Sequence, residues 1–193
     1  MLELGLLLNR LSSGMNTLSI ADTANALASG LVVAYPTEGV WGLGCDPFNE
    51  LAVRQLLAIK SRPIAKGLIL VCSNLAQIKS LVNLSHDELI TLDTPLPTTF
   101  LVPFHENSLP ECVTGEHDRV AIRYSKHPTI KALCDTLGQP IVSTSANPSG
   151  KPTATNTQLI AEYFPTIPIC EGELGDNTQP SRIIDFQSGK IIR

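Results

Sequence analysis

Short apolar runs alternate with amphipathic segments along this chain, and the alternation predicts its secondary structure. Runs of apolar and β-branched residues predict buried strands at 31–35, 68–72, 98–102, 120–124, 140–143, 167–170, 183–186 and 190–192. Helical spacing of apolar residues, together with capping residues, predicts helices from Ser19 or Asp22 to Gly30, after Asn49, and over 74–82, 85–93, 128–137 and 157–164. Because a three-residue turn typical of a hairpin joins the last two strands, the pattern predicts an α/β fold with a mixed sheet flanked by helices.

Size and charge narrow the class of protein. A chain of 193 residues, 43% of them hydrophobic, can bury one sizeable core, which predicts a single domain. The formal net charge is −4, which argues against nucleic-acid binding through overall charge but leaves a local basic patch open. Five cysteines without a C-x-x-C pair predict small buried thiols in a reducing compartment, and no metal site is expected.

The N-terminal residues 1–14 precede the first well-formed element, and both Met1 and Met15 stand as candidate start sites. Their apolar run, 4–8, is too short to cross a bilayer and lacks the basic leader of a signal peptide. We therefore treat 1–14 as an N-terminal extension and 15–193 as the domain. We expect a cytoplasmic protein without a membrane segment.

A cluster of cations lies between the second predicted helix and the strand 68–72. It contains Lys60, Arg62 and Lys66, and Lys66-Gly67 lies directly before the strand. Cations at a helix C-terminus interact favourably with the helix dipole, and this interaction explains the position of one or two cations of the cluster. The cluster continues past that point, and anions bind at such strand edges in open α/β sheets. A phosphate-binding role is favoured for Lys60 and Arg62, while both interpretations stay open for Lys66.

Hydroxyl and amide groups are concentrated after the strand 140–143, in Ser143-Thr144-Ser145-Ala146-Asn147. Such side chains often bond only their own backbone. Together with the cation cluster, they instead predict donors for a nucleotide. The stretch 35–46 is the third unusual segment, since its three glycines let the backbone approach a ligand and Thr37 follows a buried strand.

These three segments resemble the YrdC/TsaC family of L-threonylcarbamoyladenylate synthases from about residue 20 to the end. The matching motifs, in chain order, are Tyr35-Pro36-Thr37-Glu38, Trp41-Gly42-Leu43-Gly44-Cys45-Asp46, Lys60-x-Arg62-Pro63 with Lys66-Gly67-Leu68, Ala121-Ile122-Arg123, Ser143-Thr144-Ser145-Ala146-Asn147, and Pro180-Ser181 before Ile183-Ile184-Asp185. The resemblance implies a single-domain twisted α/β fold with an electropositive concave face.

The resemblance also implies an activity. L-threonine, bicarbonate and ATP would give threonylcarbamoyl-AMP and pyrophosphate, for the N6-threonylcarbamoyladenosine modification at position 37 of tRNAs that read ANN codons. Other tRNA threonylcarbamoylation proteins would complete the transfer, and direct contact with tRNA stays open. Mg²⁺ is expected with ATP, held mostly by phosphates and water.

Site residues follow from the same motif matches. The family's K-x-R and S-x-N signature implies catalytic Lys60, Arg62, Ser145 and Asn147. Substrate contacts are implied for these four residues and for Thr37, Arg123, Ser143 and Ser181. Thr37 corresponds to a threonine that contacts the amino-acid substrate.

One segment departs from the family pattern. Relatives carry W-P-G-P-x-T where this chain has Thr94-Pro95-Leu96-Pro97-Thr98-Thr99. A local turn or a pocket wall is therefore expected to differ there. The alternative function is a non-catalytic RNA-binding module that uses the basic concave face, although acidic net charge and few aromatic residues weaken it.

Overall fold

The computed structural model describes residues 17–177 and 181–193. Its helices are α1 (Ile20–Ala28), α2 (Glu50–Ile59), α3 (His86–Ile90), α4 (Glu111–Thr114), α5 (Pro128–Leu137) and α6 (Thr157–Tyr163). Its strands are β1 (Thr17–Leu18), β2 (Val33–Pro36), β3 (Trp41–Gly44), β4 (Ile69–Cys72), β5 (Thr98–Pro103), β6 (Arg119–Tyr124), β7 (Ile141–Ser145), β8 (Ile169–Cys170) and β9 (Arg182–Asp185). The predicted extension 1–14 lies outside these described ranges.

The strands form one mixed sheet with the order β1-β8-β2-β3-β7-β4-β6-β5-β9. β4 runs parallel to β6 and antiparallel to β7, which in turn runs antiparallel to β3. At the edge, β5 pairs with β9 in parallel, and an antiparallel bridge between Ile184 and Ile191 closes the C-terminal hairpin. The mixed α/β fold predicted from the sequence is confirmed.

Helices cover the two faces of the sheet unequally. On one face, α1 and α5 bury Leu27, Ile130 and Leu133 against the strands in one apolar cluster. On the other face, a larger cluster includes the apolar sides of α2, α4 and α6. Because side chains alternate along a strand, neighbouring residues such as Ala34 and Tyr35 belong to different clusters.

Local capping explains several helix ends. Ser19, rather than Asp22, caps α1, since its side chain accepts from the backbone N–H of Asp22. Asn49 caps α2 in the same way. Gly138 follows α5 in the left-handed conformation, with a φ of 68°, which a residue without Cβ adopts at no steric cost.

The predicted helix 74–82 is wrong, because only a 3₁₀ turn forms there, at Leu75–Gln77. The backbone beyond this turn bonds to a distant segment. The carbonyl of Leu81 accepts from the N–H of His105 at 2.9 Å, and Val82 bridges to Phe104. Tertiary hydrogen bonds thus replace the helical ones that apolar spacing predicted.

Strand β3 was missed by the sequence prediction because its pattern, Trp-Gly-Leu-Gly, resembles a loop. The glycines are a packing requirement. A Cβ on Gly44 would lie 2.1 Å from the carbonyl oxygen of Val142 and 2.7 Å from the Tyr35 hydroxyl. Within the described ranges, every helix is too short or too polar to span a membrane.

Candidate active site

A cleft of about 570 Å³ opens on the sheet face that α1 and α5 cover only in part. Val71 and Ile141 pack in the apolar cluster beneath these helices. Two residues away on the same strands, Ile69 and Ser143 line the cleft instead. The same sheet face therefore changes from apolar core to polar site where the helical cover ends.

The walls of the cleft are strongly basic although the chain is acidic overall. Five cations line it: Arg62, Lys66, Arg119, Arg123 and Arg193. Among the described residues, the single acidic side chain in the lining is that of Asp118, which is 92% exposed. This charge distribution suits a ligand that carries several negative charges.

The structure brings six of the eight predicted site residues to this cleft, namely Thr37, Arg62, Arg123, Ser143, Ser145 and Ser181. Lys60 and Asn147 are absent from its lining. They contact each other directly behind it, however, so the two motif segments do lie side by side. The roles assigned to these eight residues remain predictions.

Lys60 is 6% exposed and holds the turn after β7, which we call the 145–147 bend. Its ammonium donates to the carbonyl oxygens of Ser145 and Asn147, the latter at 2.9 Å. A longer contact of 3.4 Å reaches the side-chain Oδ1 of Asn147. Burial, and secondarily the charge of Arg62, lowers the pKa of Lys60 to about 8. Lys60 thus fixes the bend.

Arg62 lies on the cleft wall and is half-buried. Its Nε and Nη2 both donate to the carbonyl of Gly67, at 3.2 and 2.9 Å. These two hydrogen bonds close the loop between α2 and β4 and fix the orientation of the guanidinium. Desolvation lowers its pKa, which still leaves a guanidinium charged. The side chains of Lys60 and Arg62 donate to loop carbonyls outside α2, so helix-dipole capping does not explain their placement.

The 145–147 bend is held partly by its own side chains. Ser145 Oγ donates to Asn147 Oδ1 at 2.6 Å, and Asn147 Nδ2 donates to the carbonyl of Lys151 at 2.7 Å. The side-chain amide of Asn147 is therefore engaged in hydrogen bonds that hold the bend. Ser145 is exposed toward the cleft, and Ser143 lines it as a buried residue.

Thr37 and Ser181 are buried hydroxyl residues on opposite sides of the cleft. Thr37 Oγ1 donates to the carbonyl of Val40 at 2.7 Å, within the turn that joins β2 to β3. Its lone pairs remain as acceptors. Ser181 Oγ shares a 2.8 Å hydrogen bond with Thr99 Oγ1. Pro180, the other half of that motif, lies outside the described residues.

Arg123 lies on β6, and the carboxylate of Glu38 approaches it. Its Nη2 is 3.7 Å from Glu38 Oε2. The other Glu38 oxygen accepts from Ser125 Oγ at 2.5 Å. Arg119, four residues earlier on the same strand, pairs with Asp185 on β9. β6 therefore presents Arg119, Ala121 and Arg123 to one face, the period-two pattern of a strand.

Sequence reasoning missed several lining residues. Arg119, His117 and Arg193 were not selected, and neither were Thr144 and Thr153. For Arg119 a signal existed, since strand alternation from Arg123 places it on the same face. Arg193 had no such signal, because it reaches the cleft only through the C-terminal hairpin. There its Nη2 donates to the carbonyl of Ser181.

The departure from the family pattern at Thr94–Pro97 lies outside the cleft lining. Leu96 is 56% exposed, and its carbonyl accepts from the hydroxyls of Thr94 and Thr98 at 2.8 and 2.9 Å. These two bonds close a local turn without glycine. A change of turn relative to other family members remains a prediction, and the cleft lining does not include this segment.

Within residues 17–177 and 181–193, no group of three or more His, Cys, Asp or Glu side chains is placed to bind a metal ion. The five cysteines are all buried and unpaired. Burial raises the pKa of Cys45 and Cys134 to about 12, so neither is a thiolate nucleophile.

Known proteins match this chain over most of its length. The Sua5/YciO/YrdC family model, described as "Telomere recombination", matches residues 25–193. Threonylcarbamoyl-AMP synthase of Pseudomonas fluorescens Pf-5 is 48% identical over 179 residues, which cover 90% of this chain and 96% of that protein. The threonylcarbamoyl-AMP synthase of Acinetobacter baylyi is 45% identical over 93% of this chain and 98% of its own length.

A solved structure extends the match to the fold. P. abyssi Sua5 complexed with L-threonine superposes with a TM-score of 0.79 at 30% identity, over 88% of this chain and 53% of that one. The present chain thus spans about half the length of that protein. Nothing in these comparisons favours a non-catalytic RNA-binding module. The match of the family model, the two synthases and the shared fold together establish that the chain belongs to the Sua5/YciO/YrdC family.

Proposed function

We propose that the protein is a threonylcarbamoyl-AMP synthase, which forms L-threonylcarbamoyladenylate and pyrophosphate from L-threonine, bicarbonate and ATP. The observation that carries this proposal is a basic cleft that Arg62 and Arg123 line together with the hydroxyl residues Ser143 and Ser145. Two relatives that span nearly the whole chain are named for this activity.

The chemistry needs charge neutralisation more than covalent catalysis. The threonine amine and bicarbonate form a carbamate with loss of one water, and a carbamate oxygen then attacks the α-phosphorus of ATP in line and expels pyrophosphate. Such transfers depend on positioning and on cations around the phosphoryl oxygens. Arg62 and Lys66 on the cleft wall supply this charge, and Lys60 keeps Ser145 in place to orient the nucleotide.

The two substrates occupy different ends of the cleft in this proposal. Thr37, Arg123 and Ser143 form the more buried end, which suits an amino acid. Arg119 lies four residues earlier on β6, roughly 13 Å away at the usual strand rise, toward the other end of the cleft. That end suits the triphosphate. The P. abyssi relative was solved with L-threonine, which supports an amino-acid site in this fold.

Mg²⁺ is proposed to arrive with ATP. The cleft lining is basic, and its described acidic side chain, Asp118, cannot form a cage alone. Phosphate oxygens and water are the usual Mg²⁺ ligands in such sites. The adenylate would then pass to other tRNA threonylcarbamoylation proteins for attachment at adenosine 37. Direct contact between tRNA and this chain is a separate question, which tRNA-binding measurements decide.

Pyrophosphate release tests the proposal. Purified protein with L-threonine, bicarbonate and Mg-ATP should release pyrophosphate, and omission of any one of these should stop the release. The threonylcarbamoyl-AMP product is identified by mass spectrometry. A well-folded protein that releases none, beside an active relative assayed in parallel, contradicts the proposal. Salt-sensitive tRNA binding without turnover would support the RNA-binding alternative.

A further inference from the structure

A buried polar network lies directly behind the amino-acid end of the cleft, and most of it is not part of the lining. Glu38 is 16% exposed and Arg123 is 10% exposed, counting side chains. Ser125 Oγ donates to Glu38 Oε1 and accepts the N–H of His127 at 3.2 Å. The His127 ring places Nε2 3.1 Å from the carbonyl of Glu173, so this nitrogen is the donor.

Several atoms in this network lack a hydrogen-bond partner. Within the described part of the chain, Glu38 Oε2 and Arg123 Nε and Nη2 are buried and unpartnered, as is His127 Nδ1. At 3.7 Å, Nη2 and Oε2 are close enough for charge attraction but beyond ordinary hydrogen-bond length. Buried charges are costly unless they are paired, so this near-contact needs an explanation.

The geometry separates two sides of the Arg123 guanidinium. Nη2 lies 3.7 Å from Glu38 Oε2, and Nε, which is on the same edge of the guanidinium, is buried as well. The side chain nevertheless borders the cleft, so its remaining part, which includes Nη1, is what a ligand meets. Burial lowers the pKa of His127, which keeps that ring neutral near pH 7 and leaves Arg123 as the cation next to Glu38.

Backbone contacts fix Glu38 itself. The carbonyl of Glu38 accepts from the N–H of Asn177 at 2.9 Å, and the carbonyl of Thr37 accepts from the N–H of Gly175 at 3.0 Å. These two loops touch closely, since a Cβ on Gly39 would lie 2.1 Å from the carbonyl oxygen of Asn177. Glu38 is therefore held at its backbone by one loop and at its carboxylate by Ser125.

We propose that Glu38 is a positioning residue, which holds one edge of Arg123 so that the rest of the guanidinium faces the substrate carboxylate. This inference rests on the proposed function, in which Arg123 binds L-threonine. Ser125 acts through Glu38, since its hydroxyl fixes one carboxylate oxygen while the other faces Arg123. Neither Glu38 nor Ser125 is proposed to touch the reacting atoms.

Glu38→Gln tests the inference, because the amide keeps an oxygen for Ser125 and removes only the charge. We expect the KM for L-threonine to rise about tenfold, with kcat and the KM for ATP within about twofold of wild type. Ser125→Ala should give a smaller rise of about threefold, because the carboxylate charge remains. Glu162→Gln makes the same chemical change at an exposed position of α6 and should leave all three constants unchanged.

A second background separates positioning from general disruption. In Arg123→Met, adding Glu38→Gln should raise the KM no further, because Glu38 acts only through Arg123. An undiminished effect in that background overturns the inference. So does a Glu38→Gln protein with an unchanged KM for L-threonine. If Glu38→Gln does not fold, Ser125→Ala decides, and an unchanged KM in that variant makes Glu38 a structural residue only.

Binding of L-threonine alone, measured by calorimetry, distinguishes this failure from failure of the proposed function. Wild type that binds threonine without turnover contradicts the synthase proposal, while an about tenfold weaker Kd in Glu38→Gln still supports the inference. Wild type that binds no threonine overturns both.

Discussion

Lys60 and Arg62 stand only two residues apart after α2, yet they belong to two different regions of the molecule. Lys60 is buried behind the cleft, where its ammonium is used by the 145–147 bend. Arg62 lies on the cleft wall, and a single carbonyl, that of Gly67, anchors its Nε and Nη2. One short motif thus supplies both a residue that shapes the site and a residue that faces the ligand. Removing each should produce different losses.

The largest effect is expected for Lys60→Met. The carbonyl oxygens of Ser145 and Asn147 would lose their donor, which we expect to lower the free energy of unfolding by about 2–3 kcal/mol. Turnover should also fall at least about a hundredfold, because Ser145 would move. Urea denaturation and pyrophosphate release measure the two losses. Normal stability together with lost turnover would instead place Lys60 among the ligand contacts.

Arg62→Ala should reverse this balance. Turnover is expected to fall about a hundredfold or more, since a positioned cation next to developing charge is lost. The free energy of unfolding should change by only about 1 kcal/mol, the value of a typical hydrogen bond. Arg62→Lys is the matched control, and it should recover part of the activity because it keeps the charge without the fork. A stability loss as large as that of Lys60→Met would remove the contrast.

The pH dependence of stability provides a third comparison. The pKa of Lys60 is about 8 in the folded protein, against 10.5 for an unperturbed lysine, so between these values the unfolded chain binds more protons. Stability contributed by Lys60 therefore rises with pH through that window, by at most about 1.4 kcal/mol per unit. The difference in unfolding free energy between wild type and Lys60→Met, followed from pH 7.5 to 10, should increase. A flat difference would mean that the pKa is not lowered.

The smallest effects are expected for two exposed cations, Lys66 in the cluster and Arg54 on α2. Lys66 borders the cleft, so Lys66→Met should raise the KM for ATP about threefold to tenfold, and less at high salt. Arg54 is the control, because it forms an exposed pair with Glu50 at 3.5 Å on α2. Arg54→Gln should change stability by less than about 0.5 kcal/mol and leave KM unchanged. Equal KM effects from both variants would indicate long-range charge rather than contact.

The prediction of strands and helices from apolar patterns succeeded where one pattern dominates, as in β5, β6 and α5. It failed at β3, where Gly42 and Gly44 remove the alternating side chains, and at 74–82, where hydrogen bonds to 104 and 105 decide the backbone. Both failures have one cause. Local spacing records which residues are apolar, whereas the partners of a backbone group come from distant segments.

For the site, the sequence alone identified the residue types and the segments that carry them. The positive charge after α2, the hydroxyls in the second half of β7 and the polar residues after β2 could all be identified from the sequence, because unusual composition at element ends is a local property. The direction in which each side chain points could not be predicted from the sequence. Only the tertiary structure decided that the Lys60 ammonium binds the carbonyls of the 145–147 bend, that Arg193 lines the cleft, and that Glu38 lies next to Arg123. The contacts of Lys60 and Glu38 join segments 85 or more residues apart, which no local pattern encodes.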